Sequence, residues 1–126
     1  MAQRYACENS GRLAAVVLLI SQMPPGHTCG PTNALPMFHY YGGLDETVGH
    51  DGEATSDGWI YSSAADNTRV WAEHVGCQNP PHLWQSDLTD KFGWECSVYR
   101  GCENEKVDVV SCEDPDQHHE VGEQRI

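Results

Sequence analysis

Leu13-Ala14-Ala15-Val16-Val17-Leu18-Leu19-Ile20 is the longest apolar run in the chain. A bilayer span needs about 20 such residues, so this run is too short to cross a membrane. Arg4 and Arg12 precede it, as basic residues precede the apolar block of a secretion signal. Glu8 interrupts that basic stretch, however, and Gln22-Met23-Pro24-Pro25 stands where a small-residue cleavage site belongs. A continuous run with two Val and one Ile reads as a strand of a parallel sheet covered on both faces. The fold class expected from it is α/β.

The flanking sequence supports that class. Residues 1–8 read as a short helix with Ala2, Tyr5 and Ala6 on one side, stopped by Asn9-Ser10-Gly11. Residues 21–33 carry three Pro and two Gly and form a loop. Residues 35–41 are a second strand, ending at Gly42-Gly43, and residues 44–61 a long polar loop. Ser63 caps a helix, with Asp66 in its first turn, Val70, Trp71 and Val75 as its apolar stripe and Gly76 as its stop. Asn79-Pro80-Pro81 is a loop. Residues 88–99 and 106–112 read as two further strands, joined by a turn through Arg100-Gly101, and residues 113–126 as an exposed tail. Four strands with so few helices cannot cover both faces of a sheet, so this is part of an α/β sheet, mostly parallel, with sites at the carboxyl ends of its strands.

Composition narrows the function. The 126 residues make one domain, 1–126, and carry 7 Lys+Arg against 19 Asp+Glu, a net charge of −12. Such a surface repels phosphate backbones and anionic lipid, which argues against nucleic-acid and membrane partners. The six cysteines, Cys7, Cys29, Cys77, Cys96, Cys102 and Cys112, contain no C-x-x-C spacing. They read as disulfides of a secreted protein whose signal is not in this chain. Proximity in the inferred element order suggests the pairs Cys7–Cys29, Cys77–Cys96 and Cys102–Cys112. No N-x-[ST] glycosylation site is present.

Three clusters could carry chemistry. His39-Tyr40-Tyr41-Gly42-Gly43-Leu44-Asp45-Glu46-Thr47-Val48 puts a carboxylate just past a strand, after two glycines that let the chain turn sharply. An acid held there can orient a histidine; the plain alternative is a turn Asp capping its loop. Asp114-Pro115-Asp116-Gln117-His118-His119-Glu120 puts histidines past the last strand, where one can act as a general base, or else simply ends the chain in a solvated acidic tail. Asp114 and Asp116 alone are a weak calcium signal. The cysteines, with His27 and His74, are the third cluster, and disulfides are the preferred reading over zinc. Trp71 and Trp94 read as packing residues, while Trp59 and Trp84 lie in loops that could border a ligand.

These segments resemble the secreted feruloyl esterases and polyhydroxybutyrate-depolymerase-like esterases, which are α/β-hydrolases. The stretch 39–48, followed by Asp51-Gly52, looks like their HxHGxxDxxVPYxG segment. Trp71-Ala72-Glu73-His74-Val75-Gly76-Cys77 looks like their WAxxNGC helix end. Residues 1–8 with Arg12-Leu13-Ala14-Ala15-Val16 look like the helix and strand that follow the family's nucleophile. Residues 107–112 and 114–118 look like the last strand and the loop carrying the catalytic His. The resemblance implies a Ser-Asp-His triad in which Asp45 is the acid and His118 the base, with His119 as the alternative in register. It implies an ester substrate, a feruloylated polysaccharide or a polyester, and no cofactor or metal.

The departures are specific. Of the eight serines only Ser56 has a Gly two residues on, Gly58, and Ala54 replaces the first Gly of a G-x-S-x-G elbow. Gly49-His50 replaces Pro-Tyr, and Gln117-His118-His119-Glu120-Val121 replaces GHxWP. The chain therefore reads as the C-terminal half of such an esterase, either truncated or a degenerate relative, inactive alone, with an exposed sheet edge open to self-association. Two competing readings are a non-catalytic, disulfide-stapled extracellular binding module and a small metal-binding protein.

Overall fold

The computed structural model describes residues 2–26 and 33–119. Chain order is α1 (Ala2–Glu8), a 3-10 turn (Ser10–Arg12), β1 (Val16–Leu19), β2 (Met37–Gly42), α2 (Ala64–His74), β3 (His82–Trp84), α3 (Asp87–Phe92), β4 (Glu95–Tyr99) and β5 (Val109–Asp114). The strands form one sheet in the order β1-β2-β5-β4-β3. The class is α/β, as expected, but the sheet is mixed rather than mostly parallel. β1, β2 and β5 run parallel, while β4 runs antiparallel to β5, and β3 to β4. The reason is local: residues 100–108 are too short for the crossover that parallel neighbours need, whereas α2 lies in the long connection between the parallel β2 and β5.

One face of the sheet is closed and the other partly open. Val16 and Leu18 of β1, Met37 of β2 and Val109 of β5 join Ala6 and Cys7 of α1 and Trp71 and Ala72 of α2 in the core. The Trp71 indole N–H donates to the Leu35 carbonyl at 3.1 Å, so its polar edge is satisfied inside. On the opposite face Val17 is 60% and Leu19 51% exposed. The expectation that this run is covered on both faces is therefore corrected. β1 is an edge strand, paired only with β2, and α1 and α2 contribute to the same core face.

α2 follows its sequence signals. The Ser63 side chain accepts from the Asp66 N–H at 3.0 Å, and Arg69 bridges Asp66 and Glu73 on the exposed side. Its buried stripe is more polar than expected: Asn67 and Thr68 are buried with Ala64, Trp71 and Ala72.

The expected strand over 88–99 divides instead into α3, Gly93 and β4. The signals for α3 are a capping box between Ser86 and Thr89, Asp87 and Asp90 in the first turn, and Gly93 in the left-handed conformation at φ 71°. Those local terms outweigh the apolar residues Leu88 and Phe92, which stay exposed at 58% and 45%. β3 lies where a loop was expected, because three residues behind Pro80-Pro81 carry too short a pattern to recognise. The tail reading also changes: Glu113 and Asp114 belong to β5, residues 115–119 fold back on the loop after β2, and residues 120–126 lie outside the described residues.

Two disulfides lie among the described residues, Cys77–Cys102 and Cys96–Cys112. The expected partners are exchanged. Cys96 and Cys112 stand directly opposite one another in the β4·β5 ladder, where neighbouring side chains on one face meet. Cys77, just past α2, pairs with Cys102 at the start of the β4–β5 turn. Cys7 is disulfide-bonded as well, and the expected partner Cys29 lies outside the described residues.

Candidate functional site

The loops leaving β2 and β5 meet because Gly42 and Gly43 leave room for it. A Cβ on Gly42 would collide with the Gln117 carbonyl, and one on Gly43 would lie 2.7 Å from Glu113 Oε1 and 3.0 Å from Pro115 Cα. Neither glycine has positive φ. Their role is close approach between two backbones rather than the sharp turn read from the sequence. Backbone hydrogen bonds seal the contact: Gly43 N–H to the Asp114 carbonyl at 2.8 Å and Leu44 N–H to the Gln117 carbonyl at 3.0 Å.

That contact brings Asp45 and His119 together across 74 residues of sequence, with His119 Nδ1 3.0 Å from Asp45 Oδ2. The Asp45 side chain is 1% exposed and the His119 side chain 46%. The other carboxylate oxygen, Oδ1, accepts from the backbone N–H groups of Thr47 at 2.8 Å and Val48 at 2.7 Å. The carboxylate is thus clamped by its own loop, with one oxygen left to face the imidazole. An ionised carboxylate only accepts, so a neutral His119 carries its proton on Nδ1, leaving Nε2 as the basic nitrogen. His118 is exposed, and its imidazole makes no hydrogen bond among the described residues. Of the two adjacent histidines named in the sequence analysis, the one in contact with Asp45 is the register alternative, His119.

No serine hydroxyl is hydrogen-bonded to His119 among the described residues. No group of three His, Cys, Asp or Glu is placed to hold a metal ion among them either. Asp114 is engaged by its neighbours. Its Oδ2 accepts from the Tyr40 hydroxyl at 2.9 Å and the Trp94 indole at 3.1 Å, and its Oδ1 from the Asp116 N–H. Burial and this hydrogen bond push the Tyr40 phenol well above its ordinary range.

Two features beside the site were not legible in sequence. His39 is completely buried in β2, its Nδ1 3.3 Å from Thr68 Oγ1 on α2. Thr68 Oγ1 donates to the Ala64 carbonyl, so it accepts from Nδ1–H. His39 Nε2 has no partner among the described residues, and burial lowers the imidazole pKa to about 4. The second feature is a cavity of about 510 Å³ beside β3, β4 and β5, whose lining includes Tyr41, Trp84 and Trp94. Alternation along β4 and β5 could have suggested one shared face, but α3 read as part of a strand and β3 as a loop.

No protein-family model, curated protein or solved structure matches the chain. No described helix is long and apolar enough to cross a membrane.

Proposed function

We propose that Asp45 and His119 are the acid and base of a serine carboxylesterase of the α/β-hydrolase type, resembling feruloyl esterases and polyhydroxybutyrate depolymerases. One observation carries the reading: a buried carboxylate, clamped by two backbone N–H groups, faces the Nδ1 of a half-exposed histidine. The acid follows one strand of a parallel pair and the histidine follows the other, the chain order of that class. In the proposed mechanism, His119 Nε2 takes the proton of a serine hydroxyl as its oxygen attacks the ester carbonyl. Asp45 stabilises the imidazolium, and the same proton then goes to the departing alcohol. Water, deprotonated by the same imidazole, releases the acid from the acyl-enzyme.

The chain has no G-x-S-x-G elbow, so the nucleophile is a residue this sequence does not supply, and the 126 residues alone are nearly inactive. The substrates proposed are feruloylated polysaccharides or polyesters, met outside the cell, where the disulfides are stable. No serine hydroxyl meets His119 among the described residues, which favours a second reading, a non-catalytic extracellular binding module on the same scaffold.

Activated-ester hydrolysis separates the two. The purified chain should turn over p-nitrophenyl acetate slowly, at least about tenfold faster than His119→Gln, with His118→Gln unchanged. A fluorophosphonate should leave its intact mass unaltered. Equal rates in wild type and His119→Gln would remove the base, and a stoichiometric adduct would mean that one of the eight serines is an activated nucleophile.

A further inference from the structure

We infer that the junction of α2 with β2 and with the chain leaving β1 binds internal water through His39 Nε2, Asn67 Nδ2 and Gln22 Oε1. The inference stands apart from the esterase reading. Among the described residues these three buried side-chain atoms have no hydrogen-bond partner. Their residues are sealed from bulk solvent, His39 at 0% exposure and Gln22 and Asn67 at 5% each. They also belong to one part of the fold. His39 faces Thr68 on α2, Asn67 precedes Thr68, and Asn67 Oδ1 accepts from the backbone N–H of Met23, the residue after Gln22.

Turning a side chain satisfies none of the three. Gln22 Nε2 donates to the Gly49 carbonyl at 2.9 Å and to the Ser62 carbonyl at 3.1 Å, which leaves Oε1 as the open acceptor. Asn67 Oδ1 accepts from Gln3 Nε2 and from Met23 N–H, both at 3.0 Å, which leaves Nδ2 as the open donor. Exchanging oxygen and nitrogen would set acceptor against acceptor at Gln22 and donor against donor at Asn67. Thr68 Oγ1 donates to the Ala64 carbonyl at 2.9 Å, so His39 carries its proton on Nδ1 and Nε2 can only accept. The junction therefore offers one donor group and two acceptors, all held in place. Water both donates and accepts, and internal waters are held by buried polar groups that the protein itself leaves unpaired. The junction also reaches the loop of Asp45. Gln22 holds Gly49, and the preceding residue, Val48, bonds the Asp45 carboxylate through its N–H.

The test is water-selective nuclear magnetic resonance of the full chain, combined with magnetic relaxation dispersion of the water oxygen. The Asn67 side-chain amide protons should show cross-peaks to water whose laboratory-frame and rotating-frame effects have opposite signs, the mark of a long-lived internal molecule. The dispersion amplitude should fall in Asn67→Leu by the equivalent of at least one such molecule, with circular dichroism confirming the fold. Asn67→Asp keeps two oxygens at the site and should retain the amplitude. Missing water cross-peaks at the wild-type Asn67 amide would overturn the inference, whether or not Asn67→Leu folds. An unchanged dispersion amplitude in folded Asn67→Leu would overturn it too.

Discussion

Gly42 lies so close to the carbonyl oxygen of Gln117 that no side chain fits between them. The Asp45–His119 hydrogen bond depends on this contact, since it sets the loop carrying His119 against the loop carrying Asp45. Gly42→Ala should force the two loops apart. The expected cost is about 1–3 kcal/mol in urea unfolding, as for other overpacked positions. The imidazole of His119 should at the same time lose its bond to Asp45, seen as a changed ring-nitrogen spectrum.

The disulfide pairing gives a second prediction. Non-reducing peptide mapping should recover Cys77 linked to Cys102 and Cys96 linked to Cys112, with neither Cys77–Cys96 nor Cys102–Cys112. The Cys96–Cys112 bridge spans 16 residues of sequence, so replacing both cysteines by Ala should cost about 3 kcal/mol in denaturant unfolding.

Stability should fall in acid through His39. Its imidazole pKa drops from 6.5 in the unfolded chain to about 4 in the buried site, against Thr68 and the Tyr41 ring. Between those values the unfolded state binds the extra proton, so stability is complete above pH 6.5 and declines as pH falls toward 4. The decline attributable to His39 is about 3 kcal/mol. Urea midpoints at pH 7 and pH 4 should differ less in His39→Leu than in wild type. An identical difference in both would assign the acid sensitivity elsewhere.

The open face of β1 predicts concentration-dependent self-association. Val17→Lys puts a charge on an exposed apolar position of an edge strand and should shift the chain toward monomer in sedimentation velocity. Equal sedimentation of the two proteins would show that this edge makes no contact.

The sequence revealed as much as its local signals allowed. β1, β2 and α2 were legible because a long apolar run, a Gly-Gly stop and a Ser63 cap all act within a few residues. Asp45 could be singled out because it follows a strand end, and it is the carboxylate that faces a histidine. α3 was hidden by reading Leu88 and Phe92 as strand residues, although Ser86, Asp87 and Gly93 marked a helix. The choice between His118 and His119 was not legible, since one residue of register decides which imidazole faces Asp45, and that register is set by the backbone bonds of Gly43 and Leu44. Nor was the disulfide pairing, because it follows from the antiparallel ladder of β4 and β5 rather than from spacing.

The central claim is that Asp45 fixes His119 with its proton on Nδ1, and long-range proton–nitrogen correlation of the labelled imidazoles measures this directly. The neutral wild-type chain should show His119 protonated on Nδ1. In Asp45→Asn the amide oxygen must keep accepting from Thr47 and Val48, which turns the amide NH₂ toward His119. Two donors then face each other, and His119 should move its proton to Nε2, with His118 unchanged. A wild-type His119 already protonated on Nε2, or one indifferent to Asp45→Asn, would contradict the account.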